Sequence, residues 1–213
     1  MTADEFAALL AFATAMSFTP GPNTLLSTAL AANFGLRRAW RFIVAVPAGW
    51  TLMMVASALG VGALLMALPW LRLAVQALGV AYLVWLAWKL AHARELAPAA
   101  DGRATVGFWQ GVALQFVNVK AWMLALALAA GWVATSAGRA TANPGERLAI
   151  VCGVMVVFAL SSNTLYALGG SLLRHSLARG ARLVWFNRAM ALLLVATAAW
   201  MLALPARELG LAP

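Results

Sequence analysis

Six long apolar runs separated by short connectors constrain this 213-residue chain more than any other feature. The runs cover roughly residues 5–33, 42–68, 70–91, 107–134, 148–173 and 183–204. One helix needs about 20 apolar residues to cross the hydrocarbon core of a bilayer, and each run reaches that length. The composition agrees, because 64% of the residues are hydrophobic and 10% are charged. The sequence therefore predicts an all-α polytopic membrane protein with six transmembrane helices.

The connectors leave no room for a soluble domain, so residues 1–213 are predicted to form a single transmembrane domain. A secretory signal peptide begins with a basic segment and ends at a small-residue cleavage site. The N-terminus of this chain has neither feature, so we expect the first run to be retained as a membrane span.

The distribution of basic residues predicts how the chain is oriented. Ten of them border the connectors after the first, third and fifth runs: Arg37, Arg38, Arg41, Lys89, Arg94, Arg103, Arg174, Arg179, Arg182 and Arg188. Four lie on the other side: Arg72, Arg139, Arg147 and Arg207. Because Lys and Arg concentrate in cytoplasmic loops, we expect both termini outside the cytoplasm. The net charge of +9 then reflects topology and contact with anionic lipid headgroups, and no nucleic-acid partner is expected.

The two halves of the chain show a weak internal repeat. The segment 17–22 aligns without gaps on the segment 115–120, so each position lies 98 residues before its partner. With three spans in each half, the second half enters the membrane in the opposite sense. We therefore expect two inverted repeats, at about 1–95 and 104–206. Leu and Ala are abundant in the helices that follow, so part of the agreement there is chance. An interrupted segment at corresponding positions of two repeats points to a substrate site near the midplane.

The first interrupted segment is Thr19-Pro20-Gly21-Pro22. Neither proline has a backbone N–H, so the carbonyls of Met16 and Phe18 would lose their helical partners. We expect a new helix to start near Asn23, with the amides of Asn23, Thr24 and Leu25 pointing into the gap. Free amides at a helix N-terminus suit a carboxylate. The alternative is a structural kink that binds no ligand.

The second interrupted segment is Asn118-Val119-Lys120, which lies about midway along the fourth run. A charge at that depth costs at least about 2.5–3.5 kcal/mol, so it is a functional-site hypothesis by default. The six acidic residues all lie in termini or connectors: Asp4, Glu5, Glu95, Asp101, Glu146 and Glu208. We expect Lys120 to face the protein interior and to meet backbone carbonyls, water or a substrate carboxylate. The alternative is a lysine that extends to the membrane surface.

The fifth run carries a polar cluster at its centre, Ser161-Ser162-Asn163-Thr164. Polar side chains at that depth either bond neighbouring helices or line a cavity. Ser162 and Asn163 are our candidates for the second role, and both readings stay open.

Other residue types exclude several function classes. A membrane thiol-redox carrier needs two cysteines, whereas this chain has only Cys152. His92 and His175 both fall in predicted connectors, so neither a metal site nor a catalytic dyad is expected. We predict no enzyme activity, no metal and no cofactor.

Several segments, taken in order, are similar to one family. They are Thr19-Pro20-Gly21-Pro22-Asn23, Gly35-Leu36-Arg37-Arg38, Leu78-Gly79-Val80-Ala81-Tyr82-Leu83, Gly107-Phe108-Trp109-Gln110-Gly111, Asn118-Val119-Lys120 and Phe186-Asn187-Arg188. Across essentially its whole length, the chain resembles the lysine exporter and homoserine/threonine exporter (LysE/RhtB) family of bacterial amino-acid efflux proteins. It departs from the family pattern at Val119, where proline is typical, and at Ala191, where glycine is usual. The first departure puts a helix break at this point in doubt.

The resemblance implies a secondary transporter in the bacterial cytoplasmic membrane that exports an amino acid, coupled to the proton motive force. Because no acid lies inside a span to balance a cationic side chain, we favour a small neutral amino acid or derivative. The predicted substrate-binding residues are Thr19, Pro20, Gly21, Pro22, Asn23, Thr24, Asn118, Lys120, Ser162 and Asn163. The alternative is a non-transporting membrane scaffold or assembly subunit. The partners expected are the amino acid and membrane lipids, and a homo-oligomer is left open.

The orientation can be tested with reporter fusions. A fusion after Lys89 should report the cytoplasm and a fusion after Leu204 the exterior, because basic residues flank the first site. Finding both ends on the cytoplasmic side would contradict the six-span count or its orientation.

Overall fold

The computed structural model describes residues 1–94, 106–136, 139–178 and 181–208, without the side chains of Met66, Lys120, Ser136, Arg139 and residues 203–208. Nearly all of these residues are helical. The helices are α1 (Ala3–Phe18), α2 (Pro22–Phe34), α3 (Leu36–Ala58), α4 (Val61–Ala67), α5 (Pro69–Ala91), α6 (Phe108–Phe116), α7 (Val119–Leu128), α8 (Pro144–Leu177) and α9 (Arg182–Glu208). A π-helical segment, Ala129–Ala134, continues α7. Two strands, β1 (Thr135–Ser136) and β2 (Arg139–Ala140), pair antiparallel beyond it.

Four helices are long and apolar enough to cross a membrane: α3, α5, α8 and the Arg182–Leu202 part of α9. The pair formed by α6 and the α7 segment is bent by 70° and counts as a fifth span if it crosses once. The first predicted span is divided into α1, with 16 residues, and α2, with 13. The protein is therefore a mostly helical polytopic membrane protein with four to five candidate spans among its described residues.

The second predicted span, 42–68, differs most from the structure. Helix α3 begins at Leu36, so the three arginines near its start lie within the helix. It ends at Ala58 because Gly60 adopts a left-handed conformation with φ of 93°, which only glycine reaches readily. The chain then turns and α4 covers seven further residues. Hydropathy did not reveal this division because the residues on both sides of Gly60 are mostly apolar.

Helix α2 lies at the centre of the fold. Nine of its 13 residues are buried: Thr24, Leu25, Leu26, Ser27, Ala29, Leu30, Ala31, Ala32 and Asn33. It packs most extensively against α8 and also contacts α3 and α9. A glycine makes the closest approach to α8, because a Cβ added at Gly170 would lie 2.2 Å from the Thr28 carbonyl oxygen. The Thr28 hydroxyl lies 2.9 Å from the Thr24 carbonyl of its own helix and 3.2 Å from the Tyr166 carbonyl of α8, so its one proton is shared between the two acceptors.

Two polar clusters tie helix ends together. In the Arg147 cluster, the guanidinium pairs with the Glu5 carboxylate at 3.1 Å, and its Nε donates to the Trp132 carbonyl at 2.6 Å. The Trp132 indole N–H donates to the Glu5 carbonyl at 3.1 Å. The start of α1, the π-helical segment and the start of α8 therefore meet at one end of the molecule.

The Asn187 cluster joins the other ends. The side-chain amides of Asn33 and Asn187 donate to each other at 2.7 and 3.0 Å, and Asn187 also donates to the Ala93 carbonyl. Arg174 donates to the carbonyls of Ala32 and Asn33. The ends of α2, α5 and α8 thus meet the start of α9. These ends carry or adjoin the basic residues that the sequence analysis expects on one side of the membrane.

The contact at Gly170 generates a stability prediction. Gly170→Ala should lower the melting temperature in detergent, because its new methyl group forces α2 and α8 apart. Gly169→Ala is the matched control, since a Cβ there meets no heavy atom within 4 Å. Alanine at that position should be neutral or stabilising by up to about 1 kcal/mol. Equal melting temperatures for the two variants would contradict the close α2–α8 packing.

Candidate functional site

The first helix break lies where the sequence predicts it. Helix α1 ends at Phe18 and α2 begins at Pro22, so helical bonding is interrupted between Ser17 and Asn23 as expected. The intervening Thr19 and Gly21 are extended, with ψ of 129° and −177°. Pro20 and Pro22 cannot donate to the preceding turn. The missing N–H groups therefore explain why the helix stops here.

Side chains satisfy part of the backbone that the break exposes. The Phe18 carbonyl accepts a hydrogen bond from the Tyr166 hydroxyl of α8 at 3.0 Å. The Gly21 amide donates to the Thr24 hydroxyl at 2.9 Å, and that hydroxyl donates to the Gly21 carbonyl at 3.0 Å. Unpaired backbone groups cost several kcal/mol in hydrocarbon, so these contacts are what allow the chain to open inside a membrane.

The amides at the start of α2 correct one detail of the sequence prediction. The Leu25 amide donates to the Gly21 carbonyl at 2.9 Å, so it is used within the helix and does not point free into the gap. The amides of Asn23 and Thr24 have no acceptor among the described residues. Two donors, rather than three, are thus available at the positive end of the α2 dipole.

A second break occurs at the aligned position, although Val119 replaces the typical proline. Helix α6 ends at Phe116, 98 residues after Phe18, and α7 begins at Val119. The Phe116 carbonyl accepts a hydrogen bond from the Trp122 indole N–H at 2.8 Å. On the outer side, a Cβ added at Gly79 of α5 would lie 2.1 Å from the Val117 carbonyl oxygen. The break therefore persists without proline, and close packing by α5 holds it.

A cavity of about 130 Å³ lies between the two breaks. Nine of the ten predicted residues line it: Thr19, Pro20, Gly21, Pro22, Asn23, Thr24, Asn118, Ser162 and Asn163. The tenth is Lys120, whose backbone lies in the first turn of α7. The Lys120 side chain lies outside the described part of the structure, so its predicted orientation toward the interior stays a prediction. One buried water needs about 10–15 Å³ of cavity volume measured in this way, so the cavity can hold several waters or a small molecule.

Residues that the sequence analysis did not assign complete the wall. They are Met16, Ser17, Val46, Trp50, Gln115, Ala121, Leu124, Met155 and Ala159. A signal for Gln115 was present, because it is a polar residue inside an apolar run and aligns with Ser17 in the repeat. Trp50 and Met155 gave none, since aromatic and sulfur side chains are common in any apolar span.

Most polar side chains of the wall already have a hydrogen-bond partner in the protein. Asn23 and Gln115 exchange hydrogen bonds at 3.0 and 3.1 Å, which joins α2 to α6. The Asn163 carbonyl oxygen accepts from Ser27 at 2.8 Å, and its amide donates to the Ala159 carbonyl at 2.8 Å. Asn163 therefore connects α8 to α2 and keeps little capacity for a ligand.

Asn118 differs from these paired residues. Its side-chain oxygen is buried and has no hydrogen-bond partner. A buried acceptor left unpaired costs about 1–3 kcal/mol, so a donor bound in the cavity would recover that energy. None of the described lining residues carries a charge. The cavity thus offers one free acceptor and two free backbone donors in an otherwise neutral wall.

Comparison with known proteins identifies the family. A family model described as LysE type translocator matches residues 14–204. The chain therefore belongs to the LysE type translocator family. A cysteine/O-acetylserine efflux protein of Salmonella choleraesuis is 32% identical over 185 residues, which is 84% of this chain and 88% of that protein. A protein of the same name from Escherichia coli O1:K1 is 31% identical and covers 92% of this chain and 96% of its own length. No solved structure matches the chain significantly.

The Asn23–Gln115 pair can be tested by its effect on stability. Gln115→Leu leaves the Asn23 amide without its partner, so unfolding should become easier by about 1–3 kcal/mol. The exchange variant Asn23→Gln/Gln115→Asn keeps a reciprocal amide pair and should recover part of the loss. Thermal unfolding of the purified variants measures both. No recovery in the exchange variant would show that side-chain size, and not the paired amides, stabilises this contact.

Proposed function

We propose that this LysE type translocator exports a small neutral amino acid or a close derivative from the cytoplasm, driven by the proton motive force. One observation carries the proposal. Two broken helices meet at a neutral cavity that presents free donors and a free acceptor. The relatives named cysteine/O-acetylserine efflux proteins support the same size and charge class.

The substrate carboxylate binds at the start of α2. The free amides of Asn23 and Thr24 lie at the positive end of the helix dipole, which favours an anion. Lys120 adds a positive charge near the second break. The substrate ammonium donates to the side-chain oxygen of Asn118, which has no protein donor.

The neutral wall sets the charge class of the substrate side chain. A cationic side chain would need a carboxylate to replace its lost hydration, and none is found among the described lining residues. The apolar part of the wall is formed by side chains such as Val46, Trp50 and Met155. Short side chains without a charge fit this combination.

The transport cycle rests on six spans in two inverted repeats. In this arrangement α1–α2 and α6–α7 each cross the membrane once, as broken first and fourth spans. The two breaks lie 98 residues apart. The carbonyl of the last helical residue before each break accepts a hydrogen bond from an aromatic side chain, Tyr166 at the first break and Trp122 at the second. Inverted repeats around a midplane site with broken helices support alternating access by movement of one repeat against the other. Both termini then lie outside the cytoplasm.

The decisive variant is Lys120→Met. It keeps much of the apolar length of the side chain and removes the charge, so efflux should be abolished while membrane insertion is retained. Lys120→Arg should be only partly tolerated, because a guanidinium stays charged and cannot release a proton. The measurement is the release of amino acids from cells that overexpress each variant at equal membrane levels.

Lys89→Met is the matched control. Lys89 lies in the last turn of α5, with its ammonium 3.9 Å from the centre of the Trp85 ring, away from the cavity lining. Cells that express the Lys89→Met variant should release amino acids at the wild-type rate. Wild-type efflux in Lys120→Met would remove the substrate role of Lys120, and tolerance of substitutions at both Lys120 and Pro20 would favour a non-transporting scaffold.

A further inference from the structure

A second cavity lies between the first helix break and α9. Its volume is about 360 Å³. The break contributes Pro20, Gly21 and Pro22, α2 contributes Leu25, and the start of α7 contributes Asn118. The α9 wall consists of Leu193, Ala196, Thr197, Trp200 and Met201. These α9 positions follow the spacing i, i+3, i+4, i+7 and i+8, which places them on one face of the helix.

The lining of this second cavity does not suit water. A buried water needs two to four polar partners. The Thr197 hydroxyl already donates its proton to the Leu193 carbonyl at 2.8 Å. The Gly21 carbonyl already accepts from the Leu25 amide and the Thr24 hydroxyl. Asn118 contributes a single unpaired acceptor. Even an apolar cavity of about 150 Å³ stays dry and takes up hydrocarbon, and this one is more than twice as large.

The cavity is continuous with the membrane-facing surface of α9. Leu193 and Trp200, which line it, are 45% and 44% exposed. Leu192 and Leu202 beside them are exposed to a greater extent, and this part of α9 is a candidate membrane span. Leu25, at the inner wall, is only 9% exposed. The opening of the cavity therefore faces the hydrocarbon of the bilayer. Its inner end is buried, so a lipid that stays on the protein surface does not contact it.

We propose that this cavity binds an acyl chain of a membrane lipid. The chain enters past Leu193 and Trp200 and ends against Leu25 and the Pro20–Pro22 segment. That segment lines the candidate substrate site as well. A bound acyl chain therefore packs against the first break from the α9 side and stabilises its observed conformation. The site does not depend on which molecule the protein transports.

Photolabelling tests the proposal on the full-length protein in phosphatidylethanolamine and phosphatidylglycerol vesicles. The probe is a phosphatidylglycerol with a photoreactive diazirine near the end of one acyl chain, and adducts are mapped by mass spectrometry. We expect adducts on Leu25 and on the inner face of α9, besides those on the exposed Leu192 and Leu202. Wild-type adducts confined to exposed residues would overturn the proposal.

Two variants of α9 separate a bound chain from surrounding lipid. Ala196→Phe fills the cavity and should abolish the Leu25 adduct while the Leu192 region stays labelled. Leu192→Phe adds a ring on the exposed surface and should leave the Leu25 adduct unchanged. Thr197→Leu is a second, smaller filling variant, and gel filtration establishes that each variant is folded. Undiminished Leu25 labelling in both folded filling variants would also overturn the proposal.

Discussion

The architecture depends on one requirement of hydrocarbon, that a broken helix must find new partners for its backbone. Pro20 and Pro22 remove two donors from the first span, and the Tyr166 hydroxyl supplies one to the Phe18 carbonyl. The second break has the same solution, in which the Trp122 indole bonds the Phe116 carbonyl. In both cases an aromatic side chain replaces a backbone amide, from the packed helix α8 at the first break and from the following half-helix α7 at the second. An open backbone can therefore face a cavity, because the protein satisfies part of its exposed groups and leaves the Asn23 and Thr24 amides for a ligand or water.

This requirement explains the position of α2. Helix α2 starts at the first break and is buried along most of its length, and three neighbours provide its polar contacts. Gln115 of α6 pairs with Asn23, Asn163 of α8 accepts from Ser27, and Asn187 of α9 pairs with Asn33. Each is a hydrogen bond between side chains in a setting where apolar packing alone discriminates poorly between neighbouring helices. The three contacts fix the rotation and height of α2, and through it the geometry of the cavity.

The sequence predicted the first break because proline acts locally and needs no knowledge of tertiary contacts. Nine predicted residues line one cavity, of which seven came from the two aligned segments and their flanks, and Ser162 and Asn163 from the polar cluster of the fifth run. It could not settle the second break, since Val119 has no such local effect and α5 packing at Gly79 is a tertiary contact. The prediction of a free Leu25 amide was wrong because the helix begins one residue before Asn23. Gln115 was missed because paired and cavity-facing polar residues look alike in sequence. The substrate role of the cavity residues remains a prediction.

The balance of paired and unpaired groups suits a site that must release what it binds. Most polar side chains in the wall already have partners, so a ligand gains little from them. The unpaired groups include the amides of Asn23 and Thr24 and the Asn118 oxygen, and Lys120 is expected to add a charge beside them. A carboxylate and an ammonium on one carbon present the complementary charges. Because backbone amides and a neutral oxygen compensate only part of the lost hydration, we expect the proposed substrate to bind weakly enough to leave on the other side.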